Sequence, residues 1–454
     1  MLVSLLPLTR CVSTRTEPVI PYAIWAGLGH TLSHVAVHFN HGAVPLNVAD
    51  ITRFEQRLCV FSFVRTVWFY IPVLVHHIVV ELRAAGAEQP HALAMSTLVI
   101  FSLGILLAEY PSGVFADWVG RKQALALSCL LHAAGMLIYA VSSTLPALFA
   151  GQLVLGVGAA FRSGADSALL HSHLERAGIP ERYSAALARM RIATNGAIVV
   201  GCFSGGLLYA WWPTAVFIGT ALCSLAALVP LSGLEEPPRR VAHRRYVDVL
   251  RESLVEVRGN GPAHALVLLG GVGVTFFLFV FWTTQSYLVE IGAPVKHNGF
   301  LISVTALLSA LSLMALAWLS ASQRRHGVAV GFLLFTIPLA LLATAIAYRA
   351  GWLWLGAGFL ITIAMGQALF RNLVNVRLQQ LVPDAVRASI VSLESWIGSL
   401  LYVPVFPIGG ALLDAWGIDG GYLAMAVLVL LPSVLLYVLA RRHGVWHVKT
   451  PSMW

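Results

Sequence analysis

The sequence predicts an all-α integral membrane protein, with twelve transmembrane helices in two six-helix, pseudo-symmetric bundles. Three observations predict this fold. First, 58% of the 454 residues are hydrophobic and only 11% are charged, which is too few to cover a soluble protein of this size. Second, apolar runs of about 20 residues, the length that crosses a bilayer, recur along almost the whole chain. Third, the widest polar interruption divides these runs six and six.

Apolar runs bounded by charged residues or by Gly and Pro define the predicted spans. Numbered in chain order, spans 1 to 12 cover residues 57–80, 92–116, 123–143, 146–171, 184–209, 212–231, 263–289, 298–319, 327–348, 351–378, 386–413 and 420–440. The spans therefore form an N-terminal bundle at 57–231 and a C-terminal bundle at 263–442. A cytoplasmic linker at 232–262 joins them, and 443–454 is a C-terminal tail.

A weak internal repeat supports two related bundles. Ala160-Phe161-Arg162 at the end of span 4 has a counterpart in Leu369-Phe370-Arg371 of span 10. Parallel repeats of this kind are typical of carriers built from two halves.

The positions of Arg and Lys predict the orientation. Cytoplasmic loops carry an excess of basic residues. One end of the spans, here called the basic face, carries Arg121, Lys122, Arg176, Arg182, Arg239 to Arg258, Arg324, Arg325, Arg387, Arg441 and Arg442. The other end, the opposite face, has chiefly Arg83, Lys296 and Arg349. We expect a multi-pass protein of the inner (plasma) membrane with both ends of the core in the cytoplasm. This orientation explains the net charge of +9, and we expect no nucleic-acid partner.

Residues 1–56 form an N-terminal extension that contains several histidines. His30, His34 and His38 would share one helical face, because they recur every four residues. This stripe would either bind a transition metal or form the polar side of an interfacial helix. No Cys or carboxylate lies close by in the sequence to complete a ligand set. We therefore assign no metal site and no cofactor.

A specific motif lies between spans 2 and 3. The segment is Gly113-Val114-Phe115-Ala116-Asp117-Trp118-Val119-Gly120-Arg121-Lys122-Gln123-Ala124-Leu125. Position for position it resembles the G-x-x-x-D-x-x-G-R-K/R-x-x-L signature of the major facilitator superfamily, in the loop where that family carries it. The resemblance implies a transporter that moves a small solute by alternating access.

The residues of this motif have distinct physical roles. Gly113 permits close helix approach, and Gly120 allows a tight turn. Asp117 at a helix end can meet backbone N–H groups, while Arg121 and Lys122 anchor the loop at the membrane interface. The resemblance implies that the five form a conformational latch that stabilises the outward-facing state.

Two further family motifs are imperfect. Gln152 in span 4 occupies the arginine position of a segment similar to R-x-x-x-G-x-G-x-A, so a proton-linked role for that arginine is not implied. In span 5, the run from Gly201 to Gly206 resembles the antiporter motif G-P-x-x-G-G, with Cys202 in place of Pro. Small residues at this spacing also serve ordinary helix packing, which is the alternative interpretation.

Ionisable side chains inside the spans form a predicted intramembrane charge layer. Such groups are costly in a bilayer and usually face a cavity or a partner. At a rise of about 1.5 Å per residue, six of them lie at similar depth: Arg65, Glu109, Arg162, Asp166, Arg371 and Glu394. In one hypothesis the layer lines a central cavity, where Glu109 or Asp166 titrates protons and Arg162 and Arg371 bind anions or act as gate partners. In the other, the charges are structural ion pairs between helices.

We expect a secondary active transporter, with proton-coupled efflux of an amphiphilic compound as the first hypothesis. The alternatives are uptake or facilitated passage of an organic anion or metal complex, and a non-transporting membrane receptor. The sequence contains no GxSxG, HExxH or P-loop fingerprint, so we do not expect an enzyme. The expected partners are a small-molecule substrate, membrane lipid and protons as coupling ion, and the expected state is a monomer.

Overall fold

A computed structural model describes most of the chain, namely residues 48–141, 144–236, 255, 257–382 and 387–446. Across these ranges the regular secondary structure is helical. His30, His34 and His38 lie outside the described residues. The structure therefore does not test whether they bind a metal or form the polar side of an interfacial helix.

Helices of the first half precede the linker. They are α1 Val48–Thr66, α2 Leu74–Ala84, α3 Pro90–Trp118, α4 Arg121–Val141, α5 Leu145–Arg162, α6 Ala165–Arg176, α7 Tyr183–Trp211, α8 Ala215–Ala226 and α9 Leu228–Ser232. Helices of the second half follow it. They are α10 Gly261–Glu290, α11 Val295–Ser312, α12 Leu316–Ser320, α13 Gln323–Arg349, α14 Leu353–Leu381 and α15 Arg387–Arg442.

Among the described residues, ten helical segments are long and apolar enough to cross a membrane. Two features account for the difference from twelve. Span 1 is broken between Thr66 and Leu74, so that α2 has only 11 residues, while the 19-residue α1 is long enough but too rich in charged residues to count as an apolar span. Spans 11 and 12 both lie in α15, whose backbone leaves helical geometry at Gly417 (φ 67°, ψ −171°). Glycine adopts this conformation without the steric cost of a Cβ, so the chain can turn there. Counting span 1 and both parts of α15 restores the predicted twelve.

The break in span 1 is held by close packing against α7. A Cβ added at Gly201 would lie 2.6 Å from the backbone nitrogen of Trp68, and one at Gly205 would also collide with the backbone of Phe69. Only glycine allows backbones to approach this closely. These two glycines belong to the antiporter-like run of span 5, and in the structure they serve helix packing. Span 1 also starts earlier than the predicted residue 57, because α1 begins at Val48.

Each half has an apolar core and an apolar exterior. In the second half, the fully buried Phe277, Phe279 and Tyr287 of α10 pack in a common core with residues of α14 and α15. Large apolar side chains such as Trp211 and Leu431 point outwards. Outward-facing apolar side chains fit a lipid environment, where water does not drive them inside.

The two halves pack tightly together at the opposite face. Gly206 of α7 meets Gly299 of α11, where an added Cβ would lie 2.8 Å from the Gly299 nitrogen. Gly410 of α15 meets the start of α3, where an added Cβ would lie 2.5 Å from the carbonyl oxygen of His91. Nearer the middle of the bundle, Ser303 donates from α11 to the Val199 carbonyl oxygen at 3.0 Å. These contacts close the opposite face.

Towards the basic face the facing helices are open to their surroundings. Tyr110 and Asp117 of α3 are exposed, as are Arg191 and Asn195 of α7. Apart from its own stretch of helix, no atom of the described residues lies within 4 Å of the position that a Cβ at Gly113 would occupy. The space between the halves therefore widens towards the basic face.

Candidate substrate site and conformational contacts

Arg65 lies in the last turn of α1, directly before the break in span 1, and is only 2% exposed. Its Nη2 donates to the carbonyl oxygen and to Oγ of Ser128 in α4, both at 3.4 Å. Its Nε and Nη1 are buried without a hydrogen-bond partner. A guanidinium carries five N–H donors, and leaving buried donors unpaired is costly. Arg65 therefore has free donors for a further acceptor.

Arg162, at the end of α5, lies beside this site. Its Nη2 donates to Oγ1 of Thr66 at 3.2 Å, and its guanidinium carbon lies 5.8 Å from the ring centroid of Trp68. Arg65 and Arg162 are close enough to repel each other electrostatically. Asp166, one turn further on, attracts Arg162 but lies outside ion-pair distance. Among the ion pairs within 4.0 Å that the described residues form, none includes Arg65 or Arg162.

Two further polar groups border the arginines. His132 of α4 is paired through Nδ1 with Oγ of Ser224 at 2.8 Å, but its Nε2 is buried without a partner. The indole Nε1 of Trp68 is likewise buried and unpaired, and the two rings lie 6.2 Å apart. We call Arg65, Trp68, His132 and Arg162 the arginine site. Sequence patterns did not single out His132, whose only signal was a polar residue within an apolar span.

The second half places its charges differently. Glu394 of α15 is buried against α10, where a Cβ at Gly270 would lie 2.6 Å from its Oε1. Arg371 of α14 is exposed but within electrostatic reach of Glu394. Glu109 of α3 lies beside Trp396 of α15 and thus at the boundary between the halves.

The predicted charge layer therefore divides into three parts. Arg65, Arg162 and Asp166 form one group in the first half, Arg371 and Glu394 form a second group in the other half, and Glu109 stands between them. Among the ion pairs within 4.0 Å that the described residues form, none joins two of these six residues.

A buried ion pair that sequence reasoning missed lies near the basic face. Glu55 of α1 is 6% exposed, and its Oε2 accepts from Nη2 of Arg182 at 3.3 Å and from Nη2 of Arg189 at 2.5 Å. These contacts join α1 to the start of α7. Glu55 falls in the segment assigned to the N-terminal extension, because a polar helical turn before an apolar run gives little hydropathy signal.

The basic part of the predicted latch is held by the start of the linker. The Glu236 carboxylate accepts from the backbone nitrogens of Arg121 at 2.9 Å and Lys122 at 2.7 Å, and so caps the N-terminus of α4. Lys122 Nζ donates in return to the carbonyl oxygens of Ser232 and Leu234, both at 2.7 Å. Arg121 Nη1 donates to the Ala168 carbonyl oxygen at 2.7 Å, which ties α4 to α6. All of these contacts lie within the first half and the start of the linker.

The other latch residues make few contacts. Gly120 has φ +131°, a backbone conformation that residues with a Cβ rarely adopt, so the turn requires glycine. Asp117 is exposed, and its side chain takes part in none of the hydrogen bonds found among the described residues. Gly113 was expected to permit close helix approach, but in this conformation it faces open space, because the halves are apart on this face.

Replacing Glu236 with Gln is expected to lower the free energy of unfolding by about 1 kcal/mol, because a charged cap at the α4 N-terminus becomes neutral. Thermal unfolding of the purified protein, followed by circular dichroism, measures this loss. Glu235→Gln is the matched control, since Glu235 is exposed and its nearest cation, Arg176, lies 3.9 Å away. Equal melting temperatures for the two variants would contradict the capping role.

A polar gate crosses between the halves at the opposite face. Asp414 of α15 accepts from the backbone nitrogens of His91 at 3.1 Å and Ala92 at 2.8 Å, which caps the N-terminus of α3. Glu290, the last residue of α10, pairs with Arg83 of α2 and lies 3.1 Å from Nε2 of His91. We call Arg83, His91, Glu290 and Asp414 the opposite-face gate. Since each half supplies part of every pair, these contacts hold the opposite face closed.

Gln285 of α10 attaches the second half to the break in span 1. Its Oε1 accepts from the backbone nitrogen of Val75 at 3.0 Å, and its Nε2 donates to the carbonyl oxygen of Ile71 at 2.9 Å. The broken segment therefore lies between the arginine site and a contact from the other half. A displacement of the broken segment at the arginine site would therefore also move the Gln285 contact, and the reverse.

Within the described ranges, no group of three or more His, Cys, Asp and Glu side chains is arranged to hold a metal ion. The chemistry available at the arginine site is instead that of unpaired N–H donors. Guanidinium groups bind carboxylates and phosphates through paired hydrogen bonds. The arrangement is thus one that can bind an anion.

Comparisons with known proteins identify the fold. The chain is similar in structure to a mutant of the nucleoside transporter NupG (TM-score 0.70, 13% identity, 86% of this chain and 99% of that one). It is also similar to a D-xylose-proton symporter (TM-score 0.68, 14% identity, 88% and 99%). A third similar structure is the human organic anion transporter TETRAN (TM-score 0.56, 17% identity, 85% and 99%). At these identities the likeness shows the fold alone.

The family model described as Major Facilitator Superfamily matches residues 58–404. This match confirms the resemblance carried by the motif from Gly113 to Leu125 and the predicted all-α, two-bundle membrane fold. The chain belongs to the major facilitator superfamily, as a multi-pass secondary transporter.

Proposed function

We propose that this transporter carries a small organic anion by alternating access, and that the arginine site binds the anionic group. The observation that carries the proposal is Arg65, buried with two unpaired donors beside the partly buried Arg162, with no carboxylate of the described residues at ion-pair distance from either. Charged residues inside a membrane are stable only with a partner or water. A carboxylate or phosphate of a solute supplies that partner.

The surroundings of the arginines support an organic anion over an inorganic one. Trp68 and Tyr70 present aromatic rings within 6.5 Å of each other at the break in span 1, and His132 lies 6.0 Å from Tyr70. Aromatic rings offer apolar surface to the rest of a solute, while their N–H groups fix its orientation. The human organic anion transporter that shares the fold is consistent with this substrate class.

Alternating access is supported by the contacts at the two faces. The opposite-face gate is closed, whereas Asp117 and Gly113 of the latch are open to their surroundings. We assign the basic face to the cytoplasm, on the excess of Arg and Lys there. The structure then corresponds to an inward-open form, in which the latch is released.

Proton-coupled efflux is the second candidate, and Glu109 is the residue that favours it. Glu109 lies between the halves beside Trp396, so a change in its charge would affect the residues of both halves. Asp166 is the other candidate proton carrier, since it lies one turn from Arg162 in the first turn of α6. A proton and an organic anion competing for this region would couple the two fluxes.

The test is solute flux into liposomes that contain the purified protein and a trapped pH-sensitive dye. We expect a subset of organic anions, and not their neutral esters, to enter or leave in the presence of protein. If Glu109→Gln and Asp166→Asn both move the anion with an unchanged pH dependence, proton coupling through these groups is wrong. Absence of flux for every anion in a broad panel would contradict the carrier proposal and favour a receptor.

A further inference from the structure

We propose that a groove on the outer surface of the second half binds an anionic phospholipid. The groove lies where α12, α13 and α14 meet near the basic face, and its volume is about 740 Å³. Its walls are apolar apart from two arginines at the start of α13. The residues that carry the argument are Trp318, Arg324, Arg325, Val328, Phe332 and Leu369.

The two arginines lie at one end of the groove. Arg324 is exposed, and Arg325 is partly covered by Trp318, with its guanidinium carbon 4.6 Å from the ring centroid. This cation–π contact fixes the guanidinium plane at the rim. Among the described residues, no Asp or Glu lines the groove and no ion pair includes Arg324 or Arg325. The rim therefore carries two uncompensated positive charges.

The apolar part of the groove runs from these charges into the membrane. Arg325, Val328 and Phe332 follow one face of α13 at spacings of three and four residues. Val328 and Phe332 are more than half exposed. From Arg324 to Phe332 the helix rises by about 12 Å, which is several methylene groups of an acyl chain. Leu369 of α14 forms the far wall.

This combination fits one occupant in particular. In a membrane protein, an apolar groove open on the outer surface is filled by acyl chains. A basic rim at the interface then favours a lipid whose headgroup carries negative charge. Guanidinium groups bind phosphate oxygens through paired hydrogen bonds, which a zwitterionic headgroup with a bulky ammonium group accommodates less well. An anionic phospholipid satisfies both the arginines and the apolar wall.

The experiment measures retained lipid by native mass spectrometry, with the protein taken from phosphatidylcholine nanodiscs that contain a minor fraction of phosphatidylglycerol. We expect the wild type to retain phosphatidylglycerol preferentially. Arg324→Gln with Arg325→Gln should reduce this preference about 30-fold, since each basic residue near an anionic headgroup contributes about a factor of five. The matched control is Arg441→Gln with Arg442→Gln, a second exposed arginine pair at the end of α15, and it should retain the preference.

A second variant separates charge from shape and keeps the test valid if the double variant folds poorly. Val328→Trp keeps both arginines but fills the groove, so it should also lose phosphatidylglycerol. Inorganic phosphate added alone should not displace the lipid, because the acyl chain contributes to binding. Unchanged retention in both variants would overturn the proposal, as would displacement by phosphate or equal loss in the control.

Discussion

Replacing Arg65 with Met is expected to abolish anion binding while leaving the protein at least as stable as the wild type. Arg65 is almost fully buried, and two of its donor nitrogens have no partner. Removing an unpaired buried charge relieves a desolvation cost, so the melting temperature should stay equal or rise. Losing a charge-assisted contact to a buried anion costs at least about 2 kcal/mol, or roughly 30-fold in affinity.

The matched control for this prediction is Arg189→Met. Arg189 donates to the buried Glu55, so its removal should lower the melting temperature without weakening anion binding. Binding is measured by isothermal titration with the anion identified in the flux assay, and stability by thermal unfolding of the same samples. If Arg65→Met binds the anion with wild-type affinity, or destabilises the protein as much as Arg189→Met does, the arginine site is structural.

Gly410→Ala is expected to open the opposite face, because the added methyl group has no room in the closed form. Its Cβ would lie 2.5 Å from the His91 carbonyl oxygen and 2.6 Å from the Ala92 Cα, and both are backbone atoms that cannot move aside alone. The halves must separate at this point or the helices must shift. The distance between spin labels at Glu88 and Trp416, exposed residues of the two halves, reports the separation.

We expect the label distance to lengthen by several ångströms in Gly410→Ala, and access from the basic face to decrease. Gly358→Ala in α14 is the matched control, since no atom lies within 4 Å of its added Cβ. Both changes give the same gain of helix propensity, so only the contact between the halves differs. Identical distance distributions in the two variants would show that the closed contact does not determine the state.

The parts of this protein that hydropathy and a motif could predict are those that depend on local sequence. Apolar runs gave spans 2 to 10 because each is bounded by charges or turns, and the motif gave the family. Hydropathy did not show the break in span 1, because the residues from Val67 to Val73 are apolar; the local signal for it was Pro72, which has no backbone N–H to donate in a helix. The chain leaves the helix there against Gly201 and Gly205, which are far away in the sequence.

The polar contacts show the same division. The predicted layer identified which charges lie inside the membrane, since depth follows from residue counting. It did not show that Arg65 and Arg162 adjoin each other, nor that Glu236 of the linker caps α4. Such pairings depend on how the helices pack in three dimensions, and they cannot be read from a single sequence. The opposite-face gate, whose contacts join residues between 199 and 323 positions apart, was missed for this reason.

The cap that Asp414 places on α3 has a thermodynamic consequence for the solute. Whatever stabilises the closed opposite face removes a fraction of molecules from the state that accepts solute on that side. The apparent dissociation constant there rises by the inverse of the remaining fraction, even though no residue of the arginine site has changed. Under the proposed alternating access, we therefore expect Asp414 to contribute to an affinity difference between the two sides of the membrane. A family member with Asn at this position would bind its solute with more similar affinities from the two sides.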